Sequence, residues 1–162
     1  MKTKILLLLL ALGGVAGAAT DEIRVVGGSD DLAQWREPHG DWFAAVPYAS
    51  TFPIALDLAP RTRVPDLDSL DSVGRDQLAA LLVDVLARLD RLYDQPLPYM
   101  MWLNQSPQDG GAWPDPWFHI EIVSPWRRAG TARFIAAAEV ACGEYFNPVI
   151  PEVLAEQLRA LG

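Results

Sequence analysis

The apolar residues of this chain change their spacing along its length, and each spacing predicts a different element. Between about residues 74 and 93 they recur every three or four positions, as in an amphipathic helix with one buried stripe. Asp71 or Ser72 stands where such a helix is capped, because either side chain can accept backbone N–H bonds. The stripe consists of Leu78, Leu81, Leu82, Val85, Leu89 and Leu92.

Shorter runs before and after this helix are typical of strands, and the clearest alternates apolar and charged residues as His119-Ile120-Glu121-Ile122. An alanine-rich stretch at 133–140 predicts a second helix, and Pro151 opens a third because its missing N–H costs nothing at a helix start. Strands joined by short links favour antiparallel pairing. The predicted strands cover 42–47, 54–58, 99–105 and 117–123.

This order of elements predicts an α+β domain, in which an antiparallel sheet carries helices packed on one face. The chain has 162 residues, of which 51% are hydrophobic, so it can fill the core of one such domain. Its net charge is −8 and no Lys/Arg-rich run follows the first few residues. Nucleic acid is therefore excluded as a partner, since phosphate binding needs a basic stripe. Cys142 is the single cysteine, which excludes an internal disulfide and a cysteine-rich zinc site.

The first residues follow the plan of a secretory signal peptide. Lys2 and Lys4 precede an apolar run at 5–12, and Ala16-Gly17-Ala18 supplies a small-x-small cleavage site. The run is too short to cross a bilayer core of about 30 Å, so no stable membrane span is expected. We therefore divide the chain into a signal-peptide-like segment, residues 1–18, and a domain over residues 23–162.

Several motifs together resemble the carboxy-terminal half of a galactose-1-phosphate uridylyltransferase. They are Pro98 to Pro107, the His119–Ile122 strand, and Glu139 with the later run Tyr145-Phe146-Asn147-Pro148. The resemblance extends from about Ile23 to the end. It implies one lobe of a histidine-triad-like fold, and UDP-hexose or hexose 1-phosphate as weakly bound ligands. The family transfers a uridylyl group between UDP-glucose and a hexose 1-phosphate.

The resemblance implies no catalytic residue in this chain. The family's nucleophile is a histidine of a His-Pro-His-x-Gln motif in its other lobe, where imidazole attacks phosphorus and forms a covalent intermediate. His39 and His119 are the two histidines here, and neither lies in that motif. We expect His39 to be an exposed, inert loop residue and the chain alone to be inactive.

The resemblance also implies an incomplete metal site. Asn104 and Trp117 stand where the family's strands carry two histidine ligands, which leaves His119 alone. A tetrahedral zinc site needs four ligands, or three and a water. Glu121 shares a strand face with His119 but does not complete such a site. We expect no tightly bound metal and no cofactor, and interpret His119 as a histidine on a sheet face.

For the sugar, the resemblance implies a binding role for Glu139, because a carboxylate accepts hydrogen bonds from hydroxyls. Phe134, Tyr145 and Asn147 would form the same wall. The alternative is that Glu139 is an ordinary exposed helix residue. Arg127 and Arg128 could bind phosphate in bidentate fashion, or could be a solvated pair at a strand end. Four tryptophans could stack on sugars, although core or interface packing is commoner for this residue type: Trp102, Trp113, Trp117 and Trp126.

Three functions remain open from the sequence. The first is a transferase-family lobe that is inactive alone. The second is a non-catalytic sugar-nucleotide-binding module, exported if residues 1–18 are a genuine signal, whereas the family is cytoplasmic. The third is a remnant that pairs with a separate amino-terminal lobe. An uncovered sheet edge tends to pair, so we expect a homo-oligomer or a complex with that lobe.

Overall fold

The computed structural model describes residues 40–162. The signal-peptide-like segment and His39 lie outside the described residues. Within that part of the chain, no helix is long and apolar enough to cross a membrane.

The centre of the domain is a four-stranded antiparallel sheet whose spatial order is β1-β2-β4-β3. The strands are β1 Trp42–Ala45, β2 Ile54–Pro60, β3 Met100–Asn104 and β4 His119–Ser124. β4 lies between β2 and β3, with Leu56 and Met101 both opposite Ile122. A small hairpin follows, made of β5 Trp126–Arg128 and β6 Thr131–Ala132.

Within residues 40–162, three helices accompany the sheet: α1 Ser72–Leu92, α2 Ala137–Cys142 and α3 Pro151–Ala160. The Asp71 carboxylate caps α1 by accepting the Gly74 N–H at 2.7 Å, as the sequence predicted. Arg88 of α1 is buried, and its Nη1 donates to the Leu158 carbonyl at 2.9 Å. This bond ties α1 to the last turn of α3.

The core lies on one face of the sheet, where leucines of α1 and α3 meet the alternate residues of β2 and β4. Trp42 and Phe118 close one end of this layer with an edge-to-face contact, their ring centroids 6.0 Å apart. Each fully buried leucine or isoleucine contributes about 1.5–3 kcal/mol. The predicted α+β class with helices on one face is therefore confirmed. Fully buried members of the core include Ile54, Leu56, Leu58, Leu81, Leu89, Ile120, Ile122, Leu154 and Leu158.

The structure differs from the sequence prediction in two places beyond small shifts of strand ends. The helix predicted over 133–140 begins at Ala137 instead, because Ala136 is extended and its N–H is bound by the Glu139 side chain, and residues 133–136 form no regular element. The β5–β6 hairpin was not predicted. Its turn uses Gly130 at φ +62°, a left-handed conformation that glycine adopts without a Cβ clash.

Candidate functional site

A surface cavity of about 250 Å³ lies beside the β5–β6 hairpin and the segment that follows it. Phe134 and Asn147, two residues expected to bind sugar, line this cavity. Glu139 and Tyr145, the other two, do not. The complete lining is Arg127, Arg133, Phe134, Ala136, Phe146, Asn147 and Pro148.

Glu139 lies behind the cavity wall and holds it together. Its Oε1 accepts hydrogen bonds from Arg133 Nη1 and from the Phe146 N–H at 3.3 Å. Its Oε2 accepts from the Ala136 N–H at 3.1 Å. The Arg133 bond, followed by the two backbone bonds, holds the pKa of Glu139 below its usual value. One carboxylate thus fixes three separate points of the lining.

The far side of the wall is anchored through Asn147. Its Nδ2 donates to the Phe52 carbonyl at 2.9 Å, and its Oδ1 accepts the Val149 N–H at 2.9 Å. The Arg133 guanidinium also lies over the Phe52 ring, 6.0 Å from the centroid. The segment after α2 is therefore attached to the loop between β1 and β2.

The cavity presents aromatic surface and positive charge together. Phe134 is 87% exposed and Phe146 is 60% exposed, so both rings are accessible to a ligand. Aromatic faces beside a few polar groups are typical of small-molecule sites. Tyr145 is also exposed, next in the chain to Phe146 at the rim. The arrangement can hold a small polar molecule that has one apolar face.

A second cluster lies on the sheet face opposite the core, where Asn104, Glu121, His119 and Asp57 come together. Asn104 Nδ2 donates to Glu121 Oε1 at 2.7 Å, and His119 Nε2 lies 3.6 Å from the same oxygen. His119 Nδ1 donates to the Trp117 carbonyl at 2.9 Å. The predicted position of His119 on a sheet face is confirmed by this geometry.

The three ionisable groups of this cluster perturb one another. Burial, aided by the Glu121 charge and opposed by His119, raises the pKa of Asp57 to about 7. Burial alone would lower the pKa of His119, but its bonds to Glu121 and the Trp117 carbonyl outweigh that effect and raise it. The contact with His119, aided by Asn104, lowers the pKa of Glu121 despite burial.

Asn104 and Trp117, which the family resemblance aligns with metal ligands, make other contacts in this structure. The Trp117 indole N–H donates to the Pro60 carbonyl at 3.0 Å, and the Arg63 guanidinium lies 5.1 Å from the Trp117 ring. Asn104 is bound to Glu121. Among residues 40–162, no group of three His, Cys, Asp or Glu side chains is placed to hold a metal. The metal content of the protein stays a prediction.

The four tryptophans considered for sugar stacking are dispersed, and none lines the cavity. Trp117 packs beside the β1–β2 end of the sheet, and Trp126 contacts Tyr93 with ring centroids 6.4 Å apart. Trp102 lies on the edge strand β3. Trp113 is half exposed in the loop before β4, where its indole N–H donates to Asp109 at 2.8 Å.

The sequence did not point to Arg133 as a site residue. Arg133 lies six residues before Glu139, and side chains within one helix pair at a spacing of three or four residues. The two side chains meet here because residues 133–136 are not helical.

Comparison with known proteins places this chain in a family. The model of the galactose-1-phosphate uridyl transferase C-terminal domain matches residues 30–162. A galactose-1-phosphate uridylyltransferase of Thermotoga maritima is 32% identical over 121 residues, which cover 73% of this chain. A solved structure of a uridylyltransferase superposes with a TM-score of 0.68 at 26% identity, covering 75% of this chain and 38% of that one.

The fold also occurs outside this family. A solved Hit-like protein of Bartonella henselae superposes with a TM-score of 0.50 at 12% identity, over 75% of this chain and 81% of that one. This likeness concerns the fold alone. The chain spans 37% of the length of its Thermotoga maritima relative. It belongs to the galactose-1-phosphate uridyl transferase family, whose carboxy-terminal domain it contains.

Proposed function

We propose that this chain binds UDP-hexose or hexose 1-phosphate weakly in the cavity beside the β5–β6 hairpin, and does not transfer a uridylyl group by itself. The observation that carries the proposal is the wall held by Glu139, which sets two accessible aromatic rings around a polar cavity. Relatives named galactose-1-phosphate uridylyltransferase support the choice of ligand.

The proposed contacts differ in kind among the four predicted residues. Phe134 would pack against the apolar face of the hexose, and Asn147 would keep the wall in place through its bond to the Phe52 carbonyl. Tyr145 would contact a ligand at the rim. The Glu139 side chain is only 3% exposed. A direct bond to a sugar hydroxyl would therefore require that hydroxyl to replace one of its three donors, and otherwise Glu139 acts by positioning the wall.

The absence of transfer follows from the histidines. Nucleophilic attack on phosphorus needs an accessible imidazole with a free nitrogen lone pair. His119 is part of the Asn104–Glu121 cluster on the sheet face opposite the core, where its Nδ1 donates to the Trp117 carbonyl and its other nitrogen, Nε2, faces the Glu121 carboxylate at 3.6 Å. Neither histidine of the 162 residues lies in a His-Pro-His-x-Gln motif. Purified chain incubated with UDP-glucose and galactose 1-phosphate should give no exchange, and turnover that survives removal of host enzyme would contradict this.

Binding can be tested at the aromatic wall. Phe134→Ala removes the most exposed ring of the cavity and should weaken UDP-glucose binding about tenfold, as expected for loss of roughly 1.4 kcal/mol of contact. Trp113→Ala removes an exposed ring outside the cavity and should leave the affinity unchanged. Calorimetric titration in which Trp113→Ala weakens binding and Phe134→Ala does not would place the ligand on the tryptophan surface instead.

A second proposal, pairing with another lobe, is favoured by strand β3. Met100, Met101, Trp102 and Leu103 are between 37% and 49% exposed, on both faces of an edge strand without charge or proline. Such an edge pairs readily with another strand. A homo-oligomer or a complex with a separate amino-terminal lobe would cover it, and either arrangement is compatible with weak sugar binding by this chain.

A further inference from the structure

Arg127 carries one of the two positive charges that line the cavity. It lines the space together with Arg133, but the two guanidiniums differ in their surroundings. Arg133 is paired with Glu139. Within residues 40–162, Arg127 has no ion pair or side-chain hydrogen bond. The lining therefore has two positive charges and no negative charge, and Glu139 behind the wall balances only that of Arg133, in a chain whose net charge is −8.

The hairpin directs Arg127 differently from its neighbours. Trp126 pairs with Ala132 and Arg128 pairs with Thr131, and the register is irregular between them, where Arg127 stands. A bulge of this kind re-aims the side chain at the extra position. Trp126 contacts Tyr93 of the core side, while Arg128 Nε donates to Thr131 Oγ1 at 3.3 Å. Only Arg127 of the three lines the cavity.

The size of the cavity limits what this cation can bind. At about 250 Å³, the cavity is below the range of roughly 300–1,000 Å³ that is usual for whole drug-sized ligands. A single hexose with one substituent is therefore a better match than an entire nucleotide sugar. The guanidinium fork suits the paired oxygens of a phosphate or carboxylate.

We propose that Arg127 determines specificity by binding an anionic group, a phosphate or a carboxylate, on the hexose that occupies this cavity. The inference rests on the proposed function, because it takes the cavity to be the sugar site. Phe134 and Phe146 contact the sugar ring, and Arg127 selects acidic sugars over neutral ones. Arg133 is held by Glu139 and contributes less to this selection.

Adjacent arginines provide a matched experiment. The parent chain, Arg127→Gln and Arg128→Gln are titrated by calorimetry with galactose 1-phosphate, galacturonate and galactose at one fixed ionic strength. The two variants lose the same charge one residue apart, so long-range electrostatic effects are equal. Loss of a charge-assisted hydrogen bond corresponds to about tenfold or more in affinity. Arg127→Gln should weaken the acidic sugars by that factor and leave galactose unchanged, while Arg128→Gln should change every affinity less than twofold.

The two acidic sugars distinguish a phosphate from a carboxylate as the group that Arg127 binds. The preferred group is the one whose sugar binds the parent more tightly and loses more affinity in Arg127→Gln. Equal losses in both variants, or no loss in Arg127→Gln, would overturn the proposal, as would absence of acidic-sugar binding by the parent. UDP-glucose binding that survives while Arg127→Gln has no effect would overturn this inference and leave the proposed function standing. Arg127-dependent binding of galacturonate without any binding of galactose 1-phosphate or UDP-glucose would do the reverse.

Discussion

Glu139 and Arg133 form an ion pair beneath the cavity wall, six residues apart and joined through a non-helical segment rather than a helix turn. The same carboxylate accepts the N–H groups of Ala136 and Phe146. Three points of the lining therefore depend on a single side chain, whether or not that side chain also contacts a sugar.

This arrangement predicts that Glu139→Ala weakens UDP-glucose binding by about tenfold or more. The hexose would lose the ordered wall, whereas UDP lacks the hexose and should lose much less affinity. Glu156→Ala, an exposed change of the same charge on α3, serves as the control and should bind like the parent. Equal losses for UDP and UDP-glucose in Glu139→Ala would indicate general misfolding and remove the basis for placing the hexose in this cavity.

The raised pKa of Asp57 predicts that the stability of the protein depends on pH. The pKa of Asp57 is raised from 3.8 to about 7 by burial and Glu121. Between these values the folded state holds a proton that the unfolded state lacks, so the free energy of unfolding falls as the pH rises from about 4 to 7. Asp57→Asn, which cannot ionise, should be more stable than the parent at pH 8.5, on the order of 1–3 kcal/mol.

Thermal unfolding at pH 5 and pH 8.5 checks this prediction. The parent should lose stability between the two conditions and Asp57→Asn should lose much less. His119, whose pKa is also raised, acts in the same direction, since its stabilising contribution is present below its unfolded pKa and is lost as the pH rises. A small dependence should therefore remain in the variant. Parallel curves for the two proteins would mean that Asp57 ionises normally in the folded state.

The exposed apolar residues of strand β3 predict that the chain forms homodimers or larger assemblies at micromolar concentration. Leu103→Lys places a charge on the exposed apolar edge and should shift a homodimer towards monomer, because charged residues on an edge strand oppose pairing. Val83→Lys makes the same chemical change on the exposed side of α1 and should leave the assembly intact. Light scattering measures both. A monomeric parent, or a dimer that Leu103→Lys does not affect, would exclude self-association through this edge.

The sequence predicted the elements with strong local periodicity and missed those that depend on contacts. The leucine stripe and the Asp71 cap were sufficient for α1, and the alternation around Ile120 was sufficient for β4. The start of α2 was misplaced because the alanines at 136–138 favour a helix, while the Glu139 carboxylate binds the Ala136 N–H and the helix begins only at Ala137. The β5–β6 hairpin has strands of three and two residues, too short for a periodic signal.

The candidate site was only partly visible in the sequence for a related reason. Phe134 and Asn147 were expected at the sugar wall from the family resemblance, and both line the cavity. Arg127 could not be separated from Arg128 by sequence, because the register irregularity between them sets the direction of each side chain. The burial of Asp57 likewise depends on strands that pair on either side of it, at Ala45 and Glu121.

The most direct test of the account is a calorimetric titration of the parent chain with UDP-glucose and, in a matched run, with UDP. If the hexose occupies the cavity beside the β5–β6 hairpin, UDP-glucose should bind weakly but saturably, and more tightly than UDP. Failure to bind UDP-glucose, or affinities for UDP-glucose and UDP that are the same, would contradict the proposal that this chain is a sugar-binding lobe.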